Sequence, residues 1–444
     1  MITEIDRIMR SFEQRSCSPG KIKKAADFLG RMIGGKLNKE IIQEIQKQRL
    51  TDVINYIYIN SSYYRAMFKS IGALPGDFTS MEDLHKLPFT TAKDIHHWED
   101  FLCVKRDKLS AVFTTSGTTG EPKKVFYAYH EMQMLTNLFA VALRLVQPGP
   151  IIGIIALPIS HGLWIGSASA HRAIERAGGL PIPVGADNPQ ETLKWMERFN
   201  PNLVFSSPSY MTALTREAER ADYRAEIEIM VLAGELLTPE QKKHFKSYWG
   251  AQVFDIYGST EIGSAQTIAL PKCTAFHIND LHLVTEIVNP VTGEPDDQGE
   301  LVFTTLRREA MPLLRYKSGD RGRRAACDCG LPFSAIQLAG RIDDMIIVGD
   351  MNLYGRIIAD AVAKVKGTTG RMSIHLEKTG LTDKLVLNIE GKDINKNDVK
   401  QVLFASYPEL KVNSKNGNLI LVIETGVNLG NQIKDIKITD NRNK

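Results

Sequence analysis

Cysteine is scarce in this sequence, with five residues in a chain of 444. That is too few for a disulfide framework and points to a reducing, cytoplasmic setting. Long apolar runs are also missing. The longest, such as 151–159, falls far short of a membrane span. The polar start from Met1 to Lys24 has no apolar stretch of the length a secretory leader needs. Neither sign of charge is in excess: 55 Lys and Arg against 51 Asp and Glu leave +4. So mild a balance excludes nucleic acid and membrane surfaces as expected partners. There are no internal repeats and no low-complexity tracts. No segment ends Gly-Lys-Ser/Thr, which excludes the common triphosphate loop. The apolar fraction of 43% and charged fraction of 24% are those of an ordinary globular protein. The length allows two or three domains with a large core.

What is present is an alternation. Residues 1–70 read as helical, with Ile42, Ile45, Leu50, Val53, Ile54 and Ile57 at near-helical spacing. Ser80 reads as a cap before Glu82 and Asp83, Pro88 ends that helix, and Thr90 or Thr91 caps another toward Trp98. From residue 151, strands at 151–157, 180–184, 203–206, 229–233 and 253–257 alternate with helices at 167–177, 190–199, 208–220 and 239–249. Strands this apolar are buried on both faces, and the alternation predicts a doubly wound α/β sheet. The loops after such strands carry the ligand site. From 281 the pattern turns to paired strands, 283–288 and 300–305, around a turn-rich 289–299. Beyond 340, helices at 354–365 and 394–406 and strands at 372–376, 384–389 and 418–423 predict a compact α+β unit. The expected fold is therefore a large N-terminal α/β domain, 1–340, with a small β section, followed by a smaller α+β domain, 341–444. The last residues, 435–444, are polar and read as mobile.

One stretch stands out for chemistry: Thr114-Thr115-Ser116-Gly117-Thr118-Thr119-Gly120-Glu121-Pro122-Lys123-Lys124, between two apolar runs. Its glycines let backbone approach an anion, its amides and hydroxyls donate to phosphate oxygens, and a lysine offsets their charge. A flexible surface loop has the same composition. Three later segments narrow the choice: Asp255-Ile256-Tyr257-Gly258-Ser259-Thr260-Glu261, Tyr316-Lys317-Ser318-Gly319-Asp320 and Gly340-Arg341-Ile342-Asp343-Asp344. Singly, Tyr257 suits a core, Glu261 a helix start and Asp320 a turn. In this order and spacing the four segments resemble the adenylate-forming acyl-CoA synthetase superfamily, and most of all its phenylacetate–CoA ligase group. Leu87-Pro88-Phe89-Thr90-Thr91 and Ser207-Pro208-Ser209-Tyr210 match that group too. The resemblance runs from about residue 50 to the end.

The resemblance implies a role for each segment. Thr115, Ser116, Gly117, Thr118, Thr119, Gly120 and Lys123 hold the β- and γ-phosphates of ATP. Tyr257 lies against adenine, with Asp255 and Ile256 beside it and Ala233, Gly234 and Glu235 behind the ring. Thr260 binds the α-phosphate and Glu261 holds Mg²⁺, a hard cation suited to a carboxylate. Asp320 accepts the ribose hydroxyls, assisted by Arg341. Asp343 is the hinge between the domains. The implied reaction joins a small-molecule carboxylic acid to AMP with loss of pyrophosphate, then transfers the acyl group to a thiol, usually coenzyme A. His161, Trp164, Gly166 and Tyr210 border the acyl group, and Trp164 offers a flat wall for an aromatic acid.

Two departures from the family pattern bear on the second half. The family's C-terminal lysine follows a glycine. Counting back from Asp440-Asn441-Arg442 places it at Lys434, but after Ile433, with Lys437 the alternative. Past the hinge, Asp350 stands where a glycine lines the pantetheine tunnel, and Gly355 replaces a proline. A carboxylate there disfavours anionic coenzyme A. A carrier protein, an amine or another nucleophile then becomes an alternative acceptor. A non-catalytic nucleotide-binding homologue is a competing reading of the chain itself. A dimer is compatible with everything above.

A separate pattern points to a metal. Cys273-x-x-x-His277 and Cys327-x-Cys329 flank the β section. Three thiols and an imidazole suit tetrahedral Zn²⁺, and four protein ligands make the site structural. Free thiols and an ordinary histidine are the plainer alternative. A zinc-stapled structural scaffold without nucleotide is a separate reading of the whole chain.

Overall fold

The computed structural model describes residues 17–442 except 35–36, 79, 116–122, 159–164, 236, 265, 343–344, 349–350, 380–381, 416–418 and 430–435. The chain divides into two compact units, Met1–Ser318 with Gly322–Leu338, and Gly319–Arg321 with Ala339–Lys444. Among the described residues no helix is long and apolar enough to cross a membrane.

The first unit begins with the helices Pro19–Ile33, Lys39–Asn60 and Ser62–Ser70. Asn38 starts the second by accepting the amide of Ile41 at 3.0 Å. That helix is tied to distant chain: Gln46 donates to the carbonyl of Leu283 at 2.8 Å and Arg49 to that of Leu281 at 2.6 Å. The expected helix after Ser80 is a short 3₁₀ turn, Glu82–Lys86. Its cap works the other way round, because the Asp83 carboxylate accepts from the amide and hydroxyl of Ser80.

Strands β1 (Leu109–Thr115) and β2 (Lys123–Ala128) pair antiparallel, with Thr115 opposite Lys123. An unforeseen helix, Tyr129–Val146, follows. Then come β3 (Ile152–Ala156), β4 (Leu180–Pro183), β5 (Leu203–Ser206), β6 (Ile229–Ala233) and β7 (Gln252–Ile256). They form a parallel sheet in the order β4-β3-β5-β6-β7. Successive residues alternate between its faces. Ile155, Phe205, Val231 and Phe254 pack with the helices Pro19–Ile33, Tyr129–Val146 and Ile165–Arg176. Ile154, Val204, Met230 and Val253 pack with Pro189–Phe199, Pro208–Arg220 and Pro239–Trp249. This is a doubly wound sheet covered on both faces. Gly153 permits the close approach of one helix: a Cβ there would meet Ile174 at 2.6 Å.

The β section follows as β8 (Thr267–Ile268), β9 (Phe276–Ile278), β10 (Leu283–Val288), β11 (Gln298–Thr305), β12 (Tyr316–Ala325) and β13 (Ala335–Arg341). Their order in one sheet is β10-β11-β12-β13-β9-β8. Thr90 bridges to the start of β12. Its amide donates to the Arg315 carbonyl at 3.1 Å, and its carbonyl accepts from Lys317 at 2.9 Å. Arg315 adopts a positive φ of 46°, and its guanidinium binds the carbonyls of His85 and Leu87 and the Glu286 carboxylate.

The second unit opens with the hairpin β14 (Met345–Val348) and β15 (Met351–Tyr354). The helix Gly355–Val362 leads to β16 (Thr368–Thr379) and β17 (Thr382–Gly391), the helices Lys396–Ser406 and Pro408–Lys415, then β18 (Leu419–Thr425) and β19 (Ile436–Asp440). The sheet order is β18-β17-β16-β19. Strand β19 corrects the expectation of a mobile tail. It pairs parallel to β16 from Met372 opposite Ile436, and Ile436 and Ile438 pack on the core. Two alternating isoleucines suffice because β16 supplies the neighbouring backbone. Gly355 has a packing reason too: a Cβ there would lie 2.5 Å from Ile438.

Candidate functional site

The ends of β6 and β7 and the starts of β2 and β12 carry most of the described residues singled out by sequence. Lys123 opens β2, and its Nζ lies 2.6 Å from Oε1 of Glu261 and 3.1 Å from the Tyr316 hydroxyl. That hydroxyl donates to the same Glu261 oxygen at 2.8 Å. Glu261 is 3% exposed. Burial alone would push its carboxyl up, but the Lys123 charge and the donors from Lys123 and Tyr316 outweigh it and hold it below the usual range. The site thus keeps an ionised carboxylate in a dry place. Tyr316 lay inside a recognised segment without a role, and only the fold reveals its hydroxyl on Glu261.

Asp255 and Ile256 end β7, and Tyr257 follows. The Tyr257 ring lies near Phe303 and Phe276, with centroids 6.2 Å and 6.3 Å away. Its carbonyl accepts from the Thr267 hydroxyl at 2.8 Å. Asp255 is 7% exposed, and among the described residues its Oδ1 has no hydrogen-bond partner. Burial pushes its carboxyl up to about 7, against a smaller opposing pull from Lys242. Thr260 is buried beside Glu261. Ala233 ends β6, and Gly234 turns the chain with a φ of 88° that favours glycine. Glu235 then reaches the helix Pro208–Arg220, where its carboxylate accepts from the Ser209 amide and hydroxyl. Asp320 lies four residues along β12 from Tyr316 and pairs with Arg341 at 2.9 Å.

Other expected residues are placed elsewhere. Tyr210 is buried in the core, and its hydroxyl meets that of Thr192 at 2.8 Å. Its ring therefore packs between helices and sheet. Gly166 lies in the helix Ile165–Arg176. Lys437, on β19, is exposed and stands opposite Ser373 of β16. Ser116, Gly117, Thr118, Thr119, Gly120, His161, Trp164, Asp343, Asp350 and Lys434 lie outside the described residues. Thr115 is described as the last residue of β1.

The cysteine and histidine pairs come together. The ligand atoms of Cys273, His277, Cys327 and Cys329 all lie within 4.8 Å of one another. Cys273 Sγ is 3.7 Å from His277 Nε2 and 3.4 Å from Cys327 Sγ, and Cys329 Sγ is 3.1 Å from His277 Nε2. Tetrahedral coordination at zinc's bond lengths spaces ligand atoms by about 3.4–3.8 Å; the first two distances lie in that range and the third is shorter, so the donor types suit that ion and their spacing is close to what it requires. The carbonyl of Phe333 lies 3.4 Å from His277 Nδ1 and orients the ring so that Nε2 meets the sulfurs.

Glu261 lies just past the carboxyl end of a parallel strand, where open α/β sheets carry their ligand sites, and Lys123 and Tyr316 reach it from the starts of β2 and β12; comparison with known proteins gives the class. The chain belongs to the AMP-binding enzymes: that family's model matches residues 74–305. Within the family it is similar to phenylacetate–coenzyme A ligases. It is 31% identical to that of Pseudomonas putida, over 79% of this chain and 82% of the relative. It is 29% identical to that of Escherichia coli (strain K12), over 79% and 83%. In fold it matches 2-hydroxyisobutyryl-CoA ligase in complex with 2-HIB-AMP, with a TM-score of 0.75, 20% identity and 90% of each chain covered.

Proposed function

We propose that the protein is an AMP-forming acid–thiol ligase: it activates a carboxylic acid with ATP, releases pyrophosphate, and passes the acyl group to coenzyme A. The acid is of the aromatic class. The observation that carries this reading is the buried Lys123–Glu261–Tyr316 cluster beside the turn that follows β7. In the free protein Lys123 and Glu261 neutralise each other. With nucleotide bound, Lys123 turns to the β- and γ-phosphates and Glu261 holds Mg²⁺, whose charge offsets that of the phosphates. The Glu261 carboxyl fits that ion because it is already ionised and supplies hard oxygen. Thr260 donates to the α-phosphate, Tyr257 and Asp255 face adenine, and Asp320 accepts the ribose hydroxyls. The carboxylate then attacks the α-phosphorus in line, and most of the protein's contribution is positioning and charge. Lys434 neutralises charge at that centre, and Asp343 is the hinge about which the second domain turns for thioester formation.

The same reading assigns structural Zn²⁺ to Cys273, His277, Cys327 and Cys329, supported by their spacing and donor types. It places the protein in the cytoplasm, in keeping with its few cysteines. The test is pyrophosphate exchange over aromatic, heteroaromatic and short aliphatic acids, followed by mass analysis of products with and without coenzyme A. Acid-dependent exchange with a coenzyme A thioester as product is expected. Exchange that yields no thioester points to an amine or carrier-protein acceptor, and nucleotide binding without exchange removes the enzyme reading. Lys434→Ala is expected to abolish exchange while ATP still binds, with Lys437→Ala close to wild type. The reverse pattern would move the role to Lys437.

A further inference from the structure

Behind the Thr260–Glu261 turn lies a buried group that belongs to none of the recognised segments. Arg308 is 5% exposed and forms an ion pair with Glu131. Its remaining nitrogens reach two backbone carbonyls: Nη1 donates to that of Glu261 at 2.7 Å, and Nη2 to that of Phe126 at 2.9 Å. The guanidinium carbon lies 4.0 Å from the centroid of the Tyr127 ring. The Tyr127 hydroxyl in turn donates to the carbonyl of Thr260. The second oxygen of Glu131 accepts the amides of Ala128 at 3.0 Å and Ala310 at 3.2 Å. Burial alone would lower the Arg308 pKa, but the Glu131 charge raises it, so the guanidinium stays charged.

The pattern of donors matters more than the burial. A planar guanidinium holds several acceptors in fixed directions, which a packing residue does not. Here two side chains take consecutive carbonyls of one turn, Thr260 and Glu261. Both donors are anchored to β2 and the helix after it, since Tyr127 lies in β2 and Glu131 in that helix's first turn. Strand β2 also begins with Lys123. One block therefore carries the lysine and sets the height of the carboxylate that faces it.

We propose that Arg308 and Tyr127, with Glu131 holding Arg308 in place, are positioning residues for adenylation: they fix the Thr260–Glu261 backbone so that its hydroxyl and carboxylate meet the α-phosphate and Mg²⁺. This inference rests on the adenylation reading above. Without these donors the turn keeps its side chains but loses their aim. The carboxylate would then hold the metal less well, while the acid, bound elsewhere, would be unaffected.

Two variants test it. Tyr127→Phe removes one hydroxyl and keeps the ring under Arg308. Arg308→Lys keeps a charge opposite Glu131 but loses the fork. Each is measured by thermal melting, by acid-dependent pyrophosphate exchange, and by calorimetric binding of a non-hydrolysable ATP analogue over a magnesium titration. For Tyr127→Phe the exchange kcat is expected to fall about tenfold, and the magnesium midpoint for analogue binding to rise several-fold, with the acid KM unchanged. Arg308→Lys is expected to lose roughly a hundredfold in kcat. Folded variants that keep kcat and the magnesium midpoint within about twofold overturn the proposal. So does a drop in melting temperature with kcat per folded molecule unchanged, because that is a packing role. If Arg308→Lys does not fold, Tyr127→Phe decides alone. A wild type that binds the analogue while its variants are indifferent overturns this inference only. A wild type that binds no analogue with magnesium overturns the adenylation reading and this inference with it.

Discussion

The first unit holds two polar clusters with opposite logic. At the Lys123–Glu261–Tyr316 cluster the partners are complementary: an ammonium and a phenol on one carboxylate, nearly free of water. At Cys273–His277–Cys327–Cys329 the partners are alike, three sulfurs and an imidazole. Burial, and then the neighbouring sulfurs, push the Cys273 thiol up to about 12. The first cluster balances its own charge, and under the proposed function it opens when nucleotide binds. Under the proposed zinc assignment the second takes a cation that holds its ligands together, and holding is all that four protein ligands allow. Under the proposed function, the difference separates a site that exchanges partners from one that keeps them. Lys242 stands between the two. Its charge acts on Asp255, near the end of β7, and its Nζ lies 3.5 Å from the Cys273 carbonyl.

Four perturbations would break or sharpen that contrast. The largest effect is expected from Glu261→Gln, which removes the charge that pairs with Lys123 and that the proposed function gives to magnesium. Pyrophosphate exchange should fall roughly 10²–10³-fold, and the residual activity should respond little to magnesium. A variant with near-normal exchange would break the assignment of this cluster. Next comes metal removal. Zinc at a hundredfold excess over its Kd should add about 2.7 kcal/mol of stability, read as a higher melting temperature than the chelator-stripped protein. Cys273→Ser should abolish that shift, and a wild type that melts alike with and without zinc would end the contrast.

The third concerns the link between the clusters. Asp255 has its folded pKa raised to about 7 from 3.8, so between those values the folded state keeps a proton that the unfolded state has lost. Stability therefore falls as pH rises through that window and levels off above about 7. Asp255→Asn should remove this loss, gaining up to a few kcal/mol over the wild type at pH 8 and little at pH 4. Denaturant midpoints at the two pH values check the sign, and equal gains at both would show that Asp255 ionises normally. The smallest effect is expected from Tyr316→Phe, which leaves the Lys123–Glu261 pair but removes one donor. A loss of about 1 kcal/mol, read as a severalfold rise in the magnesium needed for exchange, would grade the phenol's share.

Much of this fold was legible because its signals are local. The bounds of Leu203–Ser206, Pro208–Arg220, Ile229–Ala233 and Pro239–Trp249 follow from apolar runs and from prolines at helix starts. The grouping of Cys273, His277, Cys327 and Cys329 was legible because these residue types are rare. The helix Tyr129–Val146 escaped because its N-cap is Ala128, a residue with no capping side chain. Its start is marked instead by Glu131 accepting the Ala128 amide. Strand β19 escaped because Lys437 and Asp440 make the tail look solvated. Arg308 and Glu131 are 177 residues apart in sequence. By type they read as surface, and only the tertiary fold pairs and buries them.

The ties of the helix Lys39–Asn60 have a consequence in time. Its buried side chains Gln46 and Arg49 end on carbonyls 237 and 232 residues further along the chain, and Thr90 waits for Arg315 and Lys317. A ribosome adding about 5–20 residues per second needs on the order of tens of seconds to make that missing stretch. Until then the front of the chain can form helices but cannot close its core. The amino-terminal part of this protein is the first to be made and among the last to be finished.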